Sequence, residues 1–254
     1  MTVVGVLHPG EMGASVAGSL SERGGTVLWA SSGRSAATAE RAQAAGLEDV
    51  GDVGELCSRC DVLLSICPPH AAVGVAREAG GFAGLYFDAN AIAPDTARAI
   101  AGLQPRFVDG GIVGPPPHQP GTTRLYLSGG EADQVAALFV GTNVDARVLS
   151  GGPGAASALK AAYAGWTKGS AALLLTVRDL ARAEGVEDAL LEEWRLSIPE
   201  LAERVAGAER SARRKGWRWI GEMEEIAHSM AAQDLPTGFH EASAEVFRRT
   251  AEES

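Results

Sequence analysis

Short apolar runs alternate with amphipathic runs over the first 150 residues. The apolar runs predict buried strands at residues 3–7, 26–30, 62–66, 85–88 and 107–109, and two later strands at 124–128 and 146–149. Alanine-rich amphipathic runs predict helices at 11–23, 35–45, 71–79, 94–103 and 131–140. Strands that alternate with helices form parallel βαβ units. The pattern therefore predicts an α/β fold with a doubly wound sheet.

The pattern changes after the glycine-rich segment at 151–154. Residues 155–183 contain no proline and are dense in alanine and leucine, which predicts one long helix. This helix is apolar nearly all round, so we expect it to be buried on all sides. Further helices are expected to break near Pro199, Gly207, Gly216 and residues 236–238. The chain is thus predicted to form an α/β domain over 1–150 and an all-helical domain over 151–254.

The charge, the length of the apolar runs and the cysteines together argue against several classes of partner and ligand. The formal net charge is −10, and both halves of the chain are acidic, which argues against a nucleic-acid surface. No apolar run approaches the length of a membrane span, and the N-terminal segment lacks the basic region of a signal peptide. Cys57, Cys60 and Cys67 have no further ligands at metal-site spacing, so we interpret them as reduced thiols of a cytoplasmic protein without a metal.

The segment GVLHPGEMG follows the first predicted strand with nearly the spacing of the dinucleotide fingerprint G-x-G-x-x-G. Gly10 leaves room for phosphate groups, and Gly13 lets the helix pack close to the strand. The first glycine is replaced by His8, which either packs in the loop or approaches the diphosphate. We therefore predict a phosphate loop made of the residues His8, Pro9, Gly10, Glu11, Met12 and Gly13.

The second predicted strand is followed by Ser31, Ser32 and Arg34 rather than by an acidic residue. Sites for NAD place an aspartate or glutamate here to bind the ribose hydroxyls. An arginine instead suits a 2′-phosphate, with serine hydroxyls as further donors. These residues predict NADP(H) as the cofactor rather than NAD(H). The alternative is that Arg34 is an ordinary solvated loop residue.

Four segments resemble the 6-phosphogluconate and β-hydroxyacid dehydrogenase superfamily, which includes the imine reductases. They are VGVLHPGEMGASVAGSL, VLLSICPPHAA, FDANAIAP and GGPGAASALKAAY. The segments EMEEIA and LPTGFHEASAEVF resemble a phosphogluconate-dehydrogenase-like bacterial group within it. The resemblance implies a Rossmann domain, a helical domain, and a homodimer that shares the long helix. It also implies that the nicotinamide end of the cofactor lies beside Cys67, Pro68, Pro69 and Asn90.

Two features depart from the superfamily pattern. Hydroxyacid dehydrogenases hold the substrate carboxylate with a D-A-P-V-S-G-G motif, whereas this chain has Asp109 followed by Val113 in place of the serine. The segment DGGIVGPPP is closer to the D-G-A-I-M segment of imine reductases. Imine reductases, however, generally lack the lysine that this chain keeps as Lys160. The asparagine expected one turn later is Ala164, so the chain combines both patterns.

Lys160 is the candidate for proton transfer because a lysine in an apolar helix is partly desolvated, which lowers its pKa. The alternative is that its ammonium group extends to the surface. Tyr163 lies three residues on and either supports Lys160, donates the proton itself or packs in the core. Asp109, Val113, Trp166, Trp219 and Met223 are predicted to contact a small-molecule substrate. The Trp219 and Met223 stripe has core packing as its alternative.

Together these observations predict an NADP-dependent oxidoreductase that acts on a C=N or C=O group. The lost carboxylate motif favours imine reductase-like activity, whereas Lys160 favours a β-hydroxyacid dehydrogenase. A non-catalytic dinucleotide-binding sensor is the alternative of a different class, because fold alone does not establish catalysis.

Overall fold

The computed structural model of the chain describes residues 2–252 and contains one mixed sheet of eight strands. The strand order is β3-β2-β1-β4-β5-β6-β7-β8, and all neighbouring pairs are parallel except β6 and β7. The strands are β1 Val3–Val6, β2 Thr26–Trp29, β3 Glu48–Asp49, β4 Val62–Ser65, β5 Leu85–Asp88, β6 Phe107–Val113, β7 Thr123–Ser128 and β8 Val144–Val148. The predicted α/β fold with a doubly wound sheet is confirmed.

Helices cover both faces of this sheet, and a separate group of helices follows it. The first six are α1 Glu11–Ser21, α2 Ala36–Ala44, α3 Val53–Arg59, α4 Ala72–Glu78, α5 Pro94–Ala101 and α6 Ala132–Leu138. Successive strand residues face opposite sides, so Leu64 and Phe87 join one buried core while Leu63 and Tyr86 join the other. Burial on both faces explains why the strands are continuous apolar runs rather than alternating ones.

The sheet departs from the sequence prediction at two places. Strand β3 and helix α3 were not predicted; Asp52 begins α3 by accepting the backbone N–H of Glu55 at 2.9 Å. Strand β6 also continues past Asp109 to Val113 and pairs antiparallel with β7. The connection between these two strands is too short for a parallel crossover, so the chain returns as a hairpin.

The remaining helices are α7 Ala155–Ala183, α8 Glu187–Ser197, α9 Leu201–Ala231 and α10 Gly238–Glu252. The predicted breaks at Gly207 and Gly216 are wrong, because α9 runs through both positions. A glycine inside a helix costs only about 1 kcal/mol, which tertiary packing offsets. At Gly216 an added Cβ would lie 3.7 Å from the backbone oxygen of Phe247, an ordinary contact distance, so α10 packs against α9 at this position without requiring a glycine.

Helix α7 is not buried on all sides in the single chain. Large apolar side chains are exposed at intervals of three or seven residues along it, at Tyr163, Trp166, Leu173 and Leu180. These four residues are called the α7 stripe below. The prediction of complete burial is therefore wrong for the single chain, because the apolar composition of a helix does not report which chain covers it.

A division after Lys160 separates the chain into two compact units. The sequence places the domain boundary at 150; the first turn of α7 instead belongs with the sheet, because it packs on β6. Met1, Glu253 and Ser254 lie outside the described residues. Among the helices of the described part of the chain, none combines the length and apolarity that a membrane crossing requires.

Candidate functional site

The loop between β1 and α1 opens at the carboxyl edge of the sheet. Gly10 precedes α1, and no side chain caps the helix there. The backbone N–H of Gly10 donates to the His8 oxygen at 2.8 Å. This bond closes a tight turn, although His8 stands where the fingerprint has its first glycine. The N-terminus of α1 therefore faces the carboxyl edge with its positive dipole end.

The two glycines of the loop serve different purposes. A Cβ at Gly13 would lie 2.5 Å from the His8 carbonyl oxygen, so only glycine fits beneath the loop. A Cβ at Gly10 would meet nothing within 4 Å, so open space lies above this residue. Gly13 is thus required by the fold itself, whereas Gly10 borders a free volume of the kind that phosphate groups occupy.

His8 is a neutral side chain in this loop. Burial, and secondarily the positive charge of Arg34, lowers the pKa of His8 to about 4. Its Nδ1 atom is buried without a hydrogen-bond partner in the described structure. Both interpretations of His8, packing and approach to the diphosphate, are compatible with this placement.

The β2 end brings Arg34 and Arg41 toward the same loop. The Nε atom of Arg34 is buried and has no partner among the described residues. Arg41 donates from Nε to the Pro9 oxygen at 3.4 Å and from Nη2 to Thr38 Oγ1 at 3.1 Å. Arg41 was missed from the sequence; its spacing of three residues from Thr38, itself three from the cap residue Ser35, is the signal that places it on the loop side of α2.

Ser31 is bound within the protein by Asp49, a second residue that the sequence reasoning missed. Hydrogen bonds from the Gly51 N–H and from Ser31 lower the pKa of the Asp49 carboxyl. Ser32 is exposed at the β2 end, and its N–H donates to the Gly51 oxygen at 2.8 Å. Ser31 thus shapes the turn through Asp49. The sequence gives no signal for this contact, because its pattern does not reveal the short strand β3 that carries Asp49.

The ends of β4 and β5 are joined by Asn90. Its Nδ2 donates to Asp88 Oδ2 at 2.7 Å and to Ser65 Oγ at 3.1 Å, and its Oδ1 accepts the Cys67 N–H at 2.5 Å. The side chain is buried, with its donors and acceptor used inside the protein. The Asn90 side chain therefore shapes the Cys67 loop, whereas the sequence predicts that it contacts the cofactor.

The groups around Asn90 have altered acidities. Burial raises the pKa of Asp88 to about 7, and the charge of Asp109 adds to this effect. Burial also raises the pKa of the Cys67 thiol to about 12, with Asp88 as a second cause. Cys67 is therefore protonated at neutral pH and does not act as a nucleophile. Pro68 and Pro69 follow it and begin a short 3₁₀ turn, Pro69–Ala71.

Lys160 lies over β6 at the carboxyl edge. A Cβ at Gly111 would be 3.1 Å from the Lys160 Cβ and 2.7 Å from the Ala156 oxygen, so Gly111 allows α7 to rest on the strand. In the sheet register, Asp109 pairs with Asp88 and Asp88 with Ser65. Gly111, two residues past Asp109, therefore lies beyond the carboxyl ends of β4 and β5, at the edge where the His8 loop opens.

Two predicted substrate residues of β6 point into the protein. Asp109 is fully buried and its carboxylate binds the start of α7, so it does not reach a substrate. Val113 is also buried, within the β6 and β7 hairpin. The reason is the length of β6: the sequence ends this strand at residue 109, whereas the observed strand carries both residues inside the sheet.

The predicted residues of the helical unit are placed differently from one another. Met223 is completely buried in the core of this unit, so the core alternative describes it. Trp219 is partly buried, with its ring edge-on to Phe247 at 5.0 Å between centroids. Trp166 is 68% exposed and Tyr163 48% exposed, both on the α7 stripe.

The cysteines of the C-x-x-C segment are structural. Burial raises the pKa of both thiols, that of Cys60 to about 12. A Cβ at Gly5 would lie 2.8 Å from the Cys60 sulfur, so this thiol fills space beneath β1. Within residues 2–252, no group of three histidine, cysteine or acidic side chains is arranged to hold a metal ion.

Comparison with known proteins places this arrangement in context. Residues 181–250 match the family model described as a domain of unknown function, DUF1932. An uncharacterised 28.5 kDa protein in the 7S RNA 5′ region of Methanothermus fervidus is 29% identical over 208 residues, which are 78% of this chain and 81% of that protein. Neither match by itself assigns an activity.

The solved structures extend over the whole chain. The conserved protein MTH1747, of unknown function and reported as structurally similar to 3-hydroxyacid dehydrogenases, is 29% identical with a TM-score of 0.77, covering 98% of this chain and 97% of its own. The 3-hydroxyisobutyrate dehydrogenase of Mycobacterium tuberculosis, in complex with L-serine, is 17% identical with a TM-score of 0.74, covering 100% and 94%. The protein has the hydroxyacid dehydrogenase fold.

The hydroxyacid dehydrogenase fold is shared with a reductive aminase and an imine reductase. A reductive aminase of Aspergillus terreus in complex with NADPH4, cyclohexanone and allyl amine is 18% identical with a TM-score of 0.62, covering 100% of this chain and 94% of its own. The resemblance stated from the sequence is thus confirmed, because the structural neighbours include hydroxyacid dehydrogenases and an imine reductase of Bacillus cereus, which is 18% identical with a TM-score of 0.60. The DUF1932 match falls within the helical unit of the hydroxyacid dehydrogenase fold.

Proposed function

We propose that this protein is an NADP(H)-dependent oxidoreductase that transfers hydride between the cofactor and a small C=N or C=O compound. The observation that carries the proposal is Lys160, seated over Gly111 at the same sheet edge at which the His8 loop opens. In open α/β sheets, ligands bind at the carboxyl ends of the strands. The edge thus combines a phosphate loop with a group capable of proton transfer.

The residues of the loop fit a phosphate-bearing dinucleotide. Open space lies above Gly10, and buried nitrogen atoms of His8 and Arg34 have no partner in the described structure. The diphosphate is proposed to lie at the N-terminus of α1, with Arg34 binding the 2′-phosphate and Arg41 adding positive charge. When bound, NADPH supplies the hydride.

The proton is assigned to the Lys160 side chain. Lys160 Nζ donates a proton to the substrate nitrogen or oxygen during reduction, and takes it back in the reverse direction. Tyr163, three residues further along α7, either supports the lysine or delivers the proton itself. Asn90 and Asp88 hold the Cys67 loop in place at the ends of the neighbouring strands.

The substrate is proposed to be an imine rather than a hydroxyacid. The β6 segment from Gly110 to Val113 carries no side chain that donates a hydrogen bond, and Asp109 is bound to α7. A substrate carboxylate therefore finds no donor side chain in this segment. A β-hydroxyacid dehydrogenase is the second candidate, favoured by Lys160 and by the similarity to 3-hydroxyisobutyrate dehydrogenase.

A substrate panel tests the proposal. The absorbance of NADPH is followed with cyclic imines and ketones, and NADP⁺ reduction is followed with β-hydroxyacids. We expect turnover with at least one imine and a preference for NADPH over NADH. Turnover of β-hydroxyacids alone would support the second candidate. Binding of NADPH without turnover of any compound would contradict an enzymatic role and support a dinucleotide sensor.

A homodimer is proposed from the α7 stripe. Its four exposed apolar side chains are spaced so that they follow one side of α7. Apolar side chains repeating in this manner are typical of a helix that packs against another helix. A second copy of this chain, with the same stripe, is the proposed occupant, as the resemblance implies.

A further inference from the structure

The carboxylate of Asp109 is bonded to the start of α7. Oδ2 accepts the backbone N–H of Gly154 at 2.9 Å and that of Ser157 at 3.0 Å. Oδ1 accepts the Ser157 hydroxyl at 2.6 Å. Since Asp109 is fully buried, these bonds form away from water. A strand residue distant in sequence therefore performs the capping that a local side chain performs in most helices.

Ser128 completes this cap from the neighbouring strand. It lies opposite Asp109 in the β6 and β7 register, and its hydroxyl donates to Asp109 Oδ2 at 3.1 Å. Ser128 Oγ in turn accepts the N–H of Ala156 at 3.0 Å, while the N–H of Ala155 donates to the Gly152 oxygen at 3.2 Å. The backbone N–H groups of residues 154–157 are thus all bonded, and a negative charge lies at the positive end of the helix.

We propose that Asp109 is a positioning residue for Lys160, an inference that rests on the proposed function. Asp109 holds the first turn of α7, and Gly111, two residues further along β6, supports the next turn beneath Lys160. One strand therefore fixes the helix at two successive turns. The backbone of Lys160 is therefore held in a fixed position relative to the sheet edge.

The loss of the carboxylate affects this placement directly. In Asp109→Asn, the N–H groups of Gly154 and Ser157 lose a charged acceptor: they face either the neutral amide oxygen or, in the other orientation of the side chain, the amide NH2 group. The first turn of α7 is then held less tightly on β6, and Lys160 moves with it. A displacement of about 1 Å at a catalytic group lowers the rate about 100-fold. The main effect is therefore expected in kcat rather than in cofactor binding.

A double-mutant cycle tests the proposal. Asp109→Asn is measured alone and in the Lys160→Ala background, well below the unfolding temperature of every variant. We expect kcat to fall by about 10-fold to 100-fold in the single variant, with KM and the NADPH dissociation constant unchanged. In the Lys160→Ala background, Asp109→Asn should have no further effect on kcat. An equal further loss in that background would overturn the positioning role.

Two controls separate positioning from stability and from the proposed function. Gln104→Ala removes a buried bond to the Ala76 oxygen, away from α7, and should destabilise the protein without lowering kcat. Should the wild type turn over no substrate, the proposed function fails, but the positioning role is still measurable. Acylation of Lys160 by a small reagent, mapped by mass spectrometry, should change in rate in Asp109→Asn while Lys215 is unaffected; an unchanged Lys160 rate would overturn the proposal.

Discussion

At the scale of single residues, burial decides the protonation states around the loop. It keeps His8 neutral and the Cys67 thiol protonated, and it raises the pKa of Asp88 to about 7. The arginines Arg34 and Arg41 provide the positive charge near the loop. We therefore propose that the site binds an anion with guanidinium groups and backbone dipoles rather than with a charged histidine.

The pKa of His8 is a direct test of this arrangement. NMR titration of the ring protons should give a value near 4, and Arg34→Ala should move it upward because a neighbouring positive charge is removed. The folded state binds this proton less tightly than the unfolded state, whose histidine pKa is about 6.5. The free energy of unfolding should therefore fall, relative to His8→Gln, as the pH decreases from about 6.5 to about 4. An ordinary His8 pKa would contradict the buried, neutral ring.

We propose that Arg34 determines the preference for NADP(H) over NAD(H). Arg34→Ala should weaken NADPH binding by about 10-fold to 100-fold, because a hydrogen bond between charged groups contributes about 1.5–3 kcal/mol. NADH lacks the 2′-phosphate, so its affinity should stay the same. Fluorescence titration with both cofactors measures this difference. Equal loss for the two cofactors would assign Arg34 to the diphosphate instead.

At the scale of elements, the loop and the hairpin show what the sequence pattern reveals. The spacing of Gly10 and Gly13 after β1 predicts a strand, turn and helix, and all three are present. The antiparallel return of β7 was not predicted, because apolar periodicity carries no information on strand direction. Asp109 was assigned to the substrate because its contacts with Gly154 and Ser157 join residues distant in sequence, which a sequence pattern does not reveal.

The two loop glycines make a matched pair of variants. Gly13→Ala places a Cβ 2.5 Å from a backbone oxygen and should destabilise the protein by about 1–3 kcal/mol. Gly10→Ala enters open space and should leave stability unchanged while weakening NADPH binding. Urea unfolding and cofactor titration on both variants separate the effects. Unchanged NADPH affinity in Gly10→Ala would show that the phosphates lie elsewhere.

At the scale of the whole molecule, the exposed side of α7 is the largest difference from the prediction. The sequence predicts complete burial, and the single chain leaves the α7 stripe exposed. Composition reports how apolar a helix is but not which chain covers it. The fold class followed from periodicity alone, whereas the partner of α7 depends on contacts that one chain does not contain.

If the α7 stripe forms the dimer interface, a charged side chain introduced into it should disrupt the dimer. Trp166→Glu or Leu173→Glu should shift the protein to a monomer in sedimentation velocity, because a buried carboxylate without a partner is costly. Val140→Glu changes an equally exposed apolar residue outside the stripe and should leave the dimer intact. A wild-type monomer at all accessible concentrations would contradict the dimer.

We propose that the sheet edge beneath Lys160 binds NADPH and that hydride passes there from the cofactor to the substrate. The most direct test measures NADPH affinity and kcat together in wild type and in Lys160→Ala, with the best substrate of the panel. We predict unchanged NADPH affinity and a loss of kcat of about 100-fold or more, since a positioned proton donor contributes about 10²–10⁴-fold. Wild-type kcat in Lys160→Ala would contradict the account.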